Sequence, residues 1–256
     1  MLLNYISPSS FEIWSAESYE WNEYTLHESR INEHCSFIEL RGRMHLVGGI
    51  SDKIINSHFK LSLDPPEIIK KQELNYNRND PLLCMIDLNH FVAIGGLSQI
   101  KREVGYIEVY NCKEDKWVIL PQLTDNVIYK KKAVYMNGYL YVIGMNKEKL
   151  EYIDSTPNYL IMEKLNMELS VKWEHYMIEV NSYAFDSILI PYSDDTILLL
   201  SSNSEISTKL NTETRAVCMF EMKLTTKYLG GQYLYCFPFV YIVNSIITIN
   251  LMELEN

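Results

Sequence analysis

The chain carries few groups that could do chemistry, and their spacing gathers none of them into a site. The histidines are His27, His34, His45, His58, His90 and His175, scattered along the chain, and each has a local structural explanation. His45 and His90 lie in or beside the apolar runs "RMHLVGG" and "HFVAIGG", where a core or edge imidazole needs no ligand to explain it. The cysteines, Cys35, Cys84, Cys112, Cys218 and Cys236, are odd in number and far apart. No Cys-x-x-Cys pair or His-x-x-x-His spacing points to zinc. Asp194-Asp195 is the nearest thing to paired catalytic carboxylates, but it joins two apolar runs, where turn formation alone favours aspartate. No Gly-x-Ser-x-Gly elbow, Gly-Lys-Ser/Thr phosphate loop or Rossmann glycine pattern occurs. The expectation is no catalytic residue, no cofactor and no metal.

Composition narrows the function classes further. The net charge of −10 over 256 residues is a poor fit to nucleic acid or to an anionic membrane surface. The basic clusters Lys70-Lys71 and Lys130-Lys131-Lys132 flank apolar runs as solvated strand ends do. Scattered thiols and the lack of any Asn-x-Ser/Thr sequon point to a cytoplasmic chain. The N-terminus has no basic region ahead of its short apolar run, so no signal peptide is expected. "YLYCFPFVYIVNSIITINL", Tyr233 to Leu251, is uncharged over 19 residues, close to the length of a membrane span. Pro238, Asn244, Ser245, Thr248 and Asn250 interrupt it, and three short strands explain it better.

The elements that must position any site follow from repetition. Five apolar strands end in two small residues: Gly48-Gly49, Gly95-Gly96, Gly144-Met145, Ser201-Ser202 and Asn244-Ser245, at steps of 47, 49, 57 and 43 residues. A period of about 40 to 50 residues is that of four-stranded propeller blades. A partner strand precedes each landmark across a short turn such as Arg-Gly, Asn-Gly or Ser-Asp-Asp, the signature of tight hairpins. A longer polar loop and a second strand pair follow. "IEVYNCKEDKWVIL" (Ile107–Leu120) and "FEIWSAESYEWNEY" (Phe11–Tyr24) superpose without a gap, placing Phe11 on Ile107, Glu12 on Glu108, Trp14 on Tyr110 and Trp21 on Trp117. In the third repeat, Met162-Glu163, Asn166 and Lys172-Trp173 match Ile107-Glu108, Asn111 and Lys116-Trp117, in preference to a strand pair over Leu150–Tyr159.

With its double glycines at Gly48-Gly49 and Gly95-Gly96, and Tyr110 with Trp117 echoed by Trp14 with Trp21, the chain resembles the kelch-repeat family of β-propellers. The resemblance implies an all-β, kelch-like propeller of about five four-stranded blades in one domain. Their approximate bounds are residues 27–76, 77–125, 126–181, 182–226 and 227–256, the last completed by 11–26. Tyr110 and Trp117 are then expected to pack between blades, and the glycines to allow close backbone approach. An N-terminal segment closing the last blade would remove an exposed edge, the alternative being an incomplete ring finished by a partner or a longer gene product. The family also implies a non-catalytic protein-binding or scaffold module. Its contact loops would be Ile50–Ser57, Leu97–Gly105 and Asn146–Tyr159, with a protein partner of unknown identity. Other functions found on such propellers are a small-molecule or sugar-modifying enzyme, and substrate recognition for a ubiquitin ligase through a separate partner.

Overall fold

The computed structural model describes residues 2–7, 9–15, 20–26, 31–100, 104–124, 128–146, 158–169, 172–180, 187–201, 206–221, 233–236, 239–242 and 247–250. Every regular element among them is a strand, and the strands make six antiparallel sheets. Sheet 1 is β1 (Leu2–Ser7), β2 (Ser10–Ser15) and β3 (Glu20–Thr25). Sheet 2 is β4 (Ser36–Leu40), β5 (Arg43–Val47), β6 (His58–Leu63) and β7 (Pro66–Lys70). Sheet 3 is β8 (Leu82–Asp87), β9 (His90–Ile94), β10 (Ile107–Asn111) and β11 (Lys116–Leu120). Sheet 4 is β12 (Ile128–Met136), β13 (Tyr139–Asn146), β14 (Asn158–Asn166) and β15 (Trp173–Val180). Sheet 5 is β16 (Ser187–Pro191), β17 (Thr196–Ser201), β18 (Ile206–Asn211) and β19 (Val217–Glu221). Sheet 6 is β20 (Tyr233–Cys236), β21 (Phe239–Ile242) and β22 (Ile247–Asn250). Each is a meander in chain order. The chain divides into two compact units, Met1–Asn126 with sheets 1–3 and Val127–Asn256 with sheets 4–6.

Four of the sheets have the expected four strands, and β14 and β15 follow the Lys-Trp placement. The uncharged Tyr233–Leu251 stretch forms β20, β21 and β22, and no helix among the described residues is long and apolar enough to cross a membrane. The N-terminal expectation needs correction. Residues 11–26 do not add to the last sheet: β2 and β3 pair with β1, making a three-stranded sheet of their own. β1 carries no double-glycine landmark and is joined to β2 by a very short Ser-containing turn, so the sequence pattern did not separate it.

The apolar landmark strands are apolar because they are central. β5 and β9 are flanked by strands on both edges and covered on both faces, and four of five residues in each are buried. Outer strands are only partly covered: in β11, Trp117 and Leu120 are buried while Lys116, Val118 and Ile119 are exposed. The hairpin turns Arg41-Gly42 and Asn137-Gly138 each hold two successive positive φ angles, 54° and 69°, and 50° and 80°. These are the left-handed pairs that a tight two-residue hairpin requires. At the other end of the repeat, Asn111, Asn166 and Asn211 all pair with the first residue of the second strand. Each Oδ1 accepts backbone N–H bonds from the residues two and three further on, at 2.7–3.2 Å. One asparagine type thus shapes three outer hairpins in the same way.

Within the first unit sheets 1, 2 and 3 pack face to face, and within the second sheets 4 and 5 do. Met44, Leu46 and Leu61 of sheet 2 meet Phe11 and Ile13 of sheet 1, with Leu26 and Ile31 between. The opposite face of sheet 2, with Leu40 and Val47, meets Phe91, Ala93, Tyr110 and Trp117 of sheet 3. Sheets 4 and 5 join likewise through Tyr141, Ile143, Leu160, Met162, Leu189, Ile197 and Leu199. In both units it is the first strands that approach, β4 with β8 and β12 with β16. The turn contacts repeat as well: Arg41 Nε donates to the Leu88 carbonyl at 2.8 Å, and Asn137 Nδ2 donates to the Asp194 carbonyl. The donors are the equivalent residues of the first hairpins in sheets 2 and 4, and the acceptors those of sheets 3 and 5. Removing residues 1–26 would uncover the Met44, Leu46 and Leu61 face of sheet 2. The expected outcome is a clearly lowered melting temperature with increased dye binding to apolar surface, measured by thermal unfolding. An unchanged melting curve would contradict this packing.

Candidate interaction face

The double glycines do what their residue type allows. Gly48, Gly49, Gly95 and Gly96 have φ of 72°, 105°, 63° and 87°. A Cβ on Gly48 would lie 2.3 Å from the Arg78 carbonyl oxygen, and one on Gly96 would lie 2.6 Å from that of Asn79. The linker from sheet 2 to sheet 3 therefore crosses directly over both landmark strand ends. Backbone bonds fix it there: Gly49 N–H donates to Arg78 C=O at 3.0 Å, and Asn79 exchanges bonds with Leu97 at 3.0 and 2.9 Å.

Arg78 and Glu108 anchor this linker from below. Both side chains are fully buried, with Nη2 2.6 Å from Glu108 Oε1. Arg78 Nη1 donates to the carbonyls of Gly95 and Tyr106 at 3.1 Å and of Ala93 at 3.4 Å. Glu108 Oε2 accepts from the backbone N–H and the side-chain Nδ2 of Asn75, both at 2.7 Å. Arg78 Nε has no well-formed hydrogen bond. Burial pushes the guanidinium down and the Glu108 carboxylate beside it pulls it back up. The Glu108 position recurs as a buried polar residue, Glu163 in sheet 4 and Thr208 in sheet 5. Sequence comparison matched Glu108 with Glu163 but missed the partner, because Arg78 stands in the polar stretch "NYNRND" and reads as an ordinary loop residue.

This framework carries the loops that follow the double glycines, whose exposed residues include Ser51, Asp52, Lys53 and Gln99 as well as Leu97 and Ile100. The loop after each double glycine, Ile50–Ser57 and the described part of Leu97–Gly105, was expected to form the contact face. The structure brings the two together, with Gln99 Oε1 accepting from Ile54 N–H at 2.9 Å. Beside them Tyr76 and Tyr106 stack with ring centroids 4.1 Å apart. Leu97, Ile100 and Tyr106 are 40%, 70% and 40% exposed, and are among the few large apolar side chains that face solvent. Of the third expected loop, Asn146–Tyr159, Asn146 ends β13, Asn158 and Tyr159 begin β14, and residues 147–157 lie outside the described residues.

Beneath the face lies the seam between sheets 2 and 3. Tyr110 and Trp117 pack between the sheets as expected: Tyr110 Oη donates to Asp115 Oδ1 in the β10–β11 turn of its own sheet at 2.7 Å, and Trp117 Nε1 reaches across to the Gln72 carbonyl, just after β7, at 2.9 Å. Asp115 in turn binds Lys71 Nζ at 2.8 Å and accepts from the Gln72 N–H at 3.1 Å. Lys71, read from sequence as a solvated strand end, is an inter-sheet ion pair. Partial burial pushes the Asp115 carboxyl up, but Lys71, Tyr110 and the Gln72 N–H outweigh it and hold the group down at about 2. The side chain of Trp14 lies outside the described residues.

The histidines are less scattered than the sequence implied. His45 and His58 meet in this seam, Nδ1 to Nε2 at 2.9 Å, with 3% and 0% exposure. His58 stands edge-on to Tyr110, at 4.4 Å between centroids, and to Phe91 and Trp117 at 5.8 and 5.4 Å. His58 Nδ1 has no well-formed hydrogen bond. The pair could have been found from the β5–β6 register, which sets Val47 opposite His58 and so puts His45 on the same face. The other described histidines pair with carboxylates: His34 with Asp80 at 3.2 Å, His90 with Asp87 at 2.9 Å and His175 with Glu163 at 3.3 Å. Asp194 and Asp195 form the β16–β17 turn, where Asp195 accepts from Ser193, Thr196 and Asn211 at 2.6–2.9 Å. Among the described residues no three His, Cys, Asp or Glu side chains gather as a metal site would require. No protein-family model matches the chain, and no curated protein matches it.

Proposed function

We propose that this chain is a non-catalytic protein-interaction module, built as a kelch-like β-propeller whose blades are the six antiparallel sheets. Supporting the propeller is the identical step from sheet 2 to sheet 3 and from sheet 4 to sheet 5, first strand beside first strand with turn bonded to equivalent turn. The observation that carries the function is the exposed Leu97, Ile100 and Tyr106 surface. It sits on loops tied by backbone bonds and by a buried ion pair to a rigid framework. Apolar and aromatic side chains on preorganised loops suit protein contact, since little ordering entropy is lost on binding.

The test is affinity purification with mass spectrometry, using the chain and a Leu97→Asp/Ile100→Asp variant. Both sites are exposed, so the substitutions should change stability by only about 0.5 kcal/mol each. The expected outcome is a set of proteins recovered with the chain and lost with the variant at an unchanged melting temperature. Equal recovery by both proteins, or chaperones alone with either, would overturn the reading.

A further inference from the structure

We propose that His45 and His58 form an acid-sensitive latch on the seam between sheets 2 and 3, whose protonation loosens the loops of the interaction face above it. Its regulatory consequence rests on the proposed function; the latch itself does not.

The first observation is that two histidines are not what the repeat needs at these places. The pairing registers put His45 in the position of Val92 and Tyr141, and His58 in the position of Ile107 and Met162. Apolar or aromatic side chains therefore fill the equivalent places in the sheets that follow. In sheet 2 alone of these three, the seam is closed by two imidazoles bonded to each other inside a wall of Phe91, Tyr110 and Trp117.

The second observation is that burial, the neighbouring imidazole and Lys71 outweigh what would favour a proton there, the Gln72 backbone and Asp115. A neutral pair can share one N–H between Nδ1 of His45 and Nε2 of His58, whereas two imidazolium rings would set donor against donor. From β4 the cross-strand neighbour of His45 is Ile38, and β9 contributes Phe91. The titratable groups facing the pair are Lys60 and Lys71 on sheet 2, and Tyr110, Cys112 and Asp115 on sheet 3. The two lysines oppose added positive charge. Asp115 favours it but already holds Lys71, the Tyr110 hydroxyl and the Gln72 N–H.

The third observation is position. His58 directly follows the Ile50–Ser57 loop, and Ser57 returns bonds to Gly48 at 2.8 and 2.9 Å. Separation of sheets 2 and 3 at His58 would part this loop from Gln99, which accepts from Ile54 N–H.

The direction with pH follows from the burial. Burial lowers His45 to about 4 and His58 to about 3, from an ordinary 6.5. An open seam, with imidazoles in water, takes up protons first as pH falls. The closed state is thus at full advantage above about 6.5 and loses that advantage between 6.5 and 3 to 4. Asp115 acts in a separate window: its lowered pKa contributes stability that is lost only as pH falls from 3.8 toward 2.

The experiment compares the chain with a His45→Val/His58→Ile variant, which installs the side chains of sheet 3. Hydrogen exchange of β5, β6 and β10 amides, corrected for intrinsic rates, is followed from pH 7.5 to 4.5. Below pH 6.5 the opening constant of the wild type should rise roughly tenfold per pH unit for each histidine. The variant should show little change. Equal pH dependence in both proteins would overturn the latch. If the variant fails to fold, the assigned imidazole resonances of the wild type decide: titration of His45 or His58 near pH 6.5 in the closed protein overturns it, and midpoints below 5 support it. Both measurements use the free chain, so a failed partner search leaves the latch standing, and a failed latch leaves the Leu97/Ile100 test untouched.

Discussion

Arg78→Ala is expected to destabilise the Met1–Asn126 unit by about 3–5 kcal/mol, the loss seen when one member of a buried ion pair is removed. The reason is less the lost attraction than what remains. The Glu108 carboxyl would stay at 0% exposure without its guanidinium, with Asn75 still donating to it, and the carbonyls of Ala93, Gly95 and Tyr106 would each lose a donor. Arg78→Met combined with Glu108→Leu should cost less than the sum of the single changes, because neither partner is then left charged and alone. Chemical denaturation of the four proteins of the cycle measures this coupling. A single-variant loss below about 1 kcal/mol, typical of an exposed pair, would mean that the pair is not buried as described. The interaction face should respond in step: the linker over Gly48 and Gly96 hangs on Arg78, so Arg78→Ala should also raise exchange at the Asn79 and Leu97 amides.

Much of this fold could be read from sequence for one physical reason. The second strand of each four-stranded sheet is buried on both faces, so it is nearly all apolar and ends where the backbone must pass close to a neighbour. That combination, apolar run then small residue, located β5, β9, β13 and β17; the same pattern located β21 of the three-stranded last sheet. What escaped was long-range pairing. β1 was missed because a three-stranded sheet without a first strand has no double-glycine landmark. Arg78 was missed because an ion pair between a loop and a strand 30 residues away leaves no periodic trace. His45 and His58 were each explained singly, as strand residues, and only the hairpin register joins them. The landmark also weakens along the chain for a visible reason. Gly144 lies within β13, paired with Ile161, so the strand runs on through the position where β5 and β9 stop.

The glycine landmark carries the second large prediction. Gly48→Ala should cost about 3 kcal/mol or more, whereas Gly138→Ala should cost only about 1–2 kcal/mol. Both residues have positive φ, 72° and 80°, so both substitutions place a side chain in a left-handed conformation. They differ in what the new methyl group meets. At Gly138 nothing lies within 4 Å, and the conformational penalty stands alone. At Gly48 the methyl carbon would sit 2.3 Å from the Arg78 carbonyl oxygen and 3.5 Å from Pro81 Cδ, so backbone has to move. The backbone that moves is the one whose side chain reaches Glu108. Gly48→Ala should therefore weaken the same strut that Arg78→Ala removes, and the two changes together should cost distinctly less than their sum. Thermal and chemical unfolding of Gly48→Ala, Gly138→Ala and the Gly48→Ala/Arg78→Ala double variant test this directly. Equal losses at Gly48 and Gly138 would mean that the landmark serves only backbone conformation. Strict additivity with Arg78→Ala would separate the close approach at Gly48 from the ion pair beneath it.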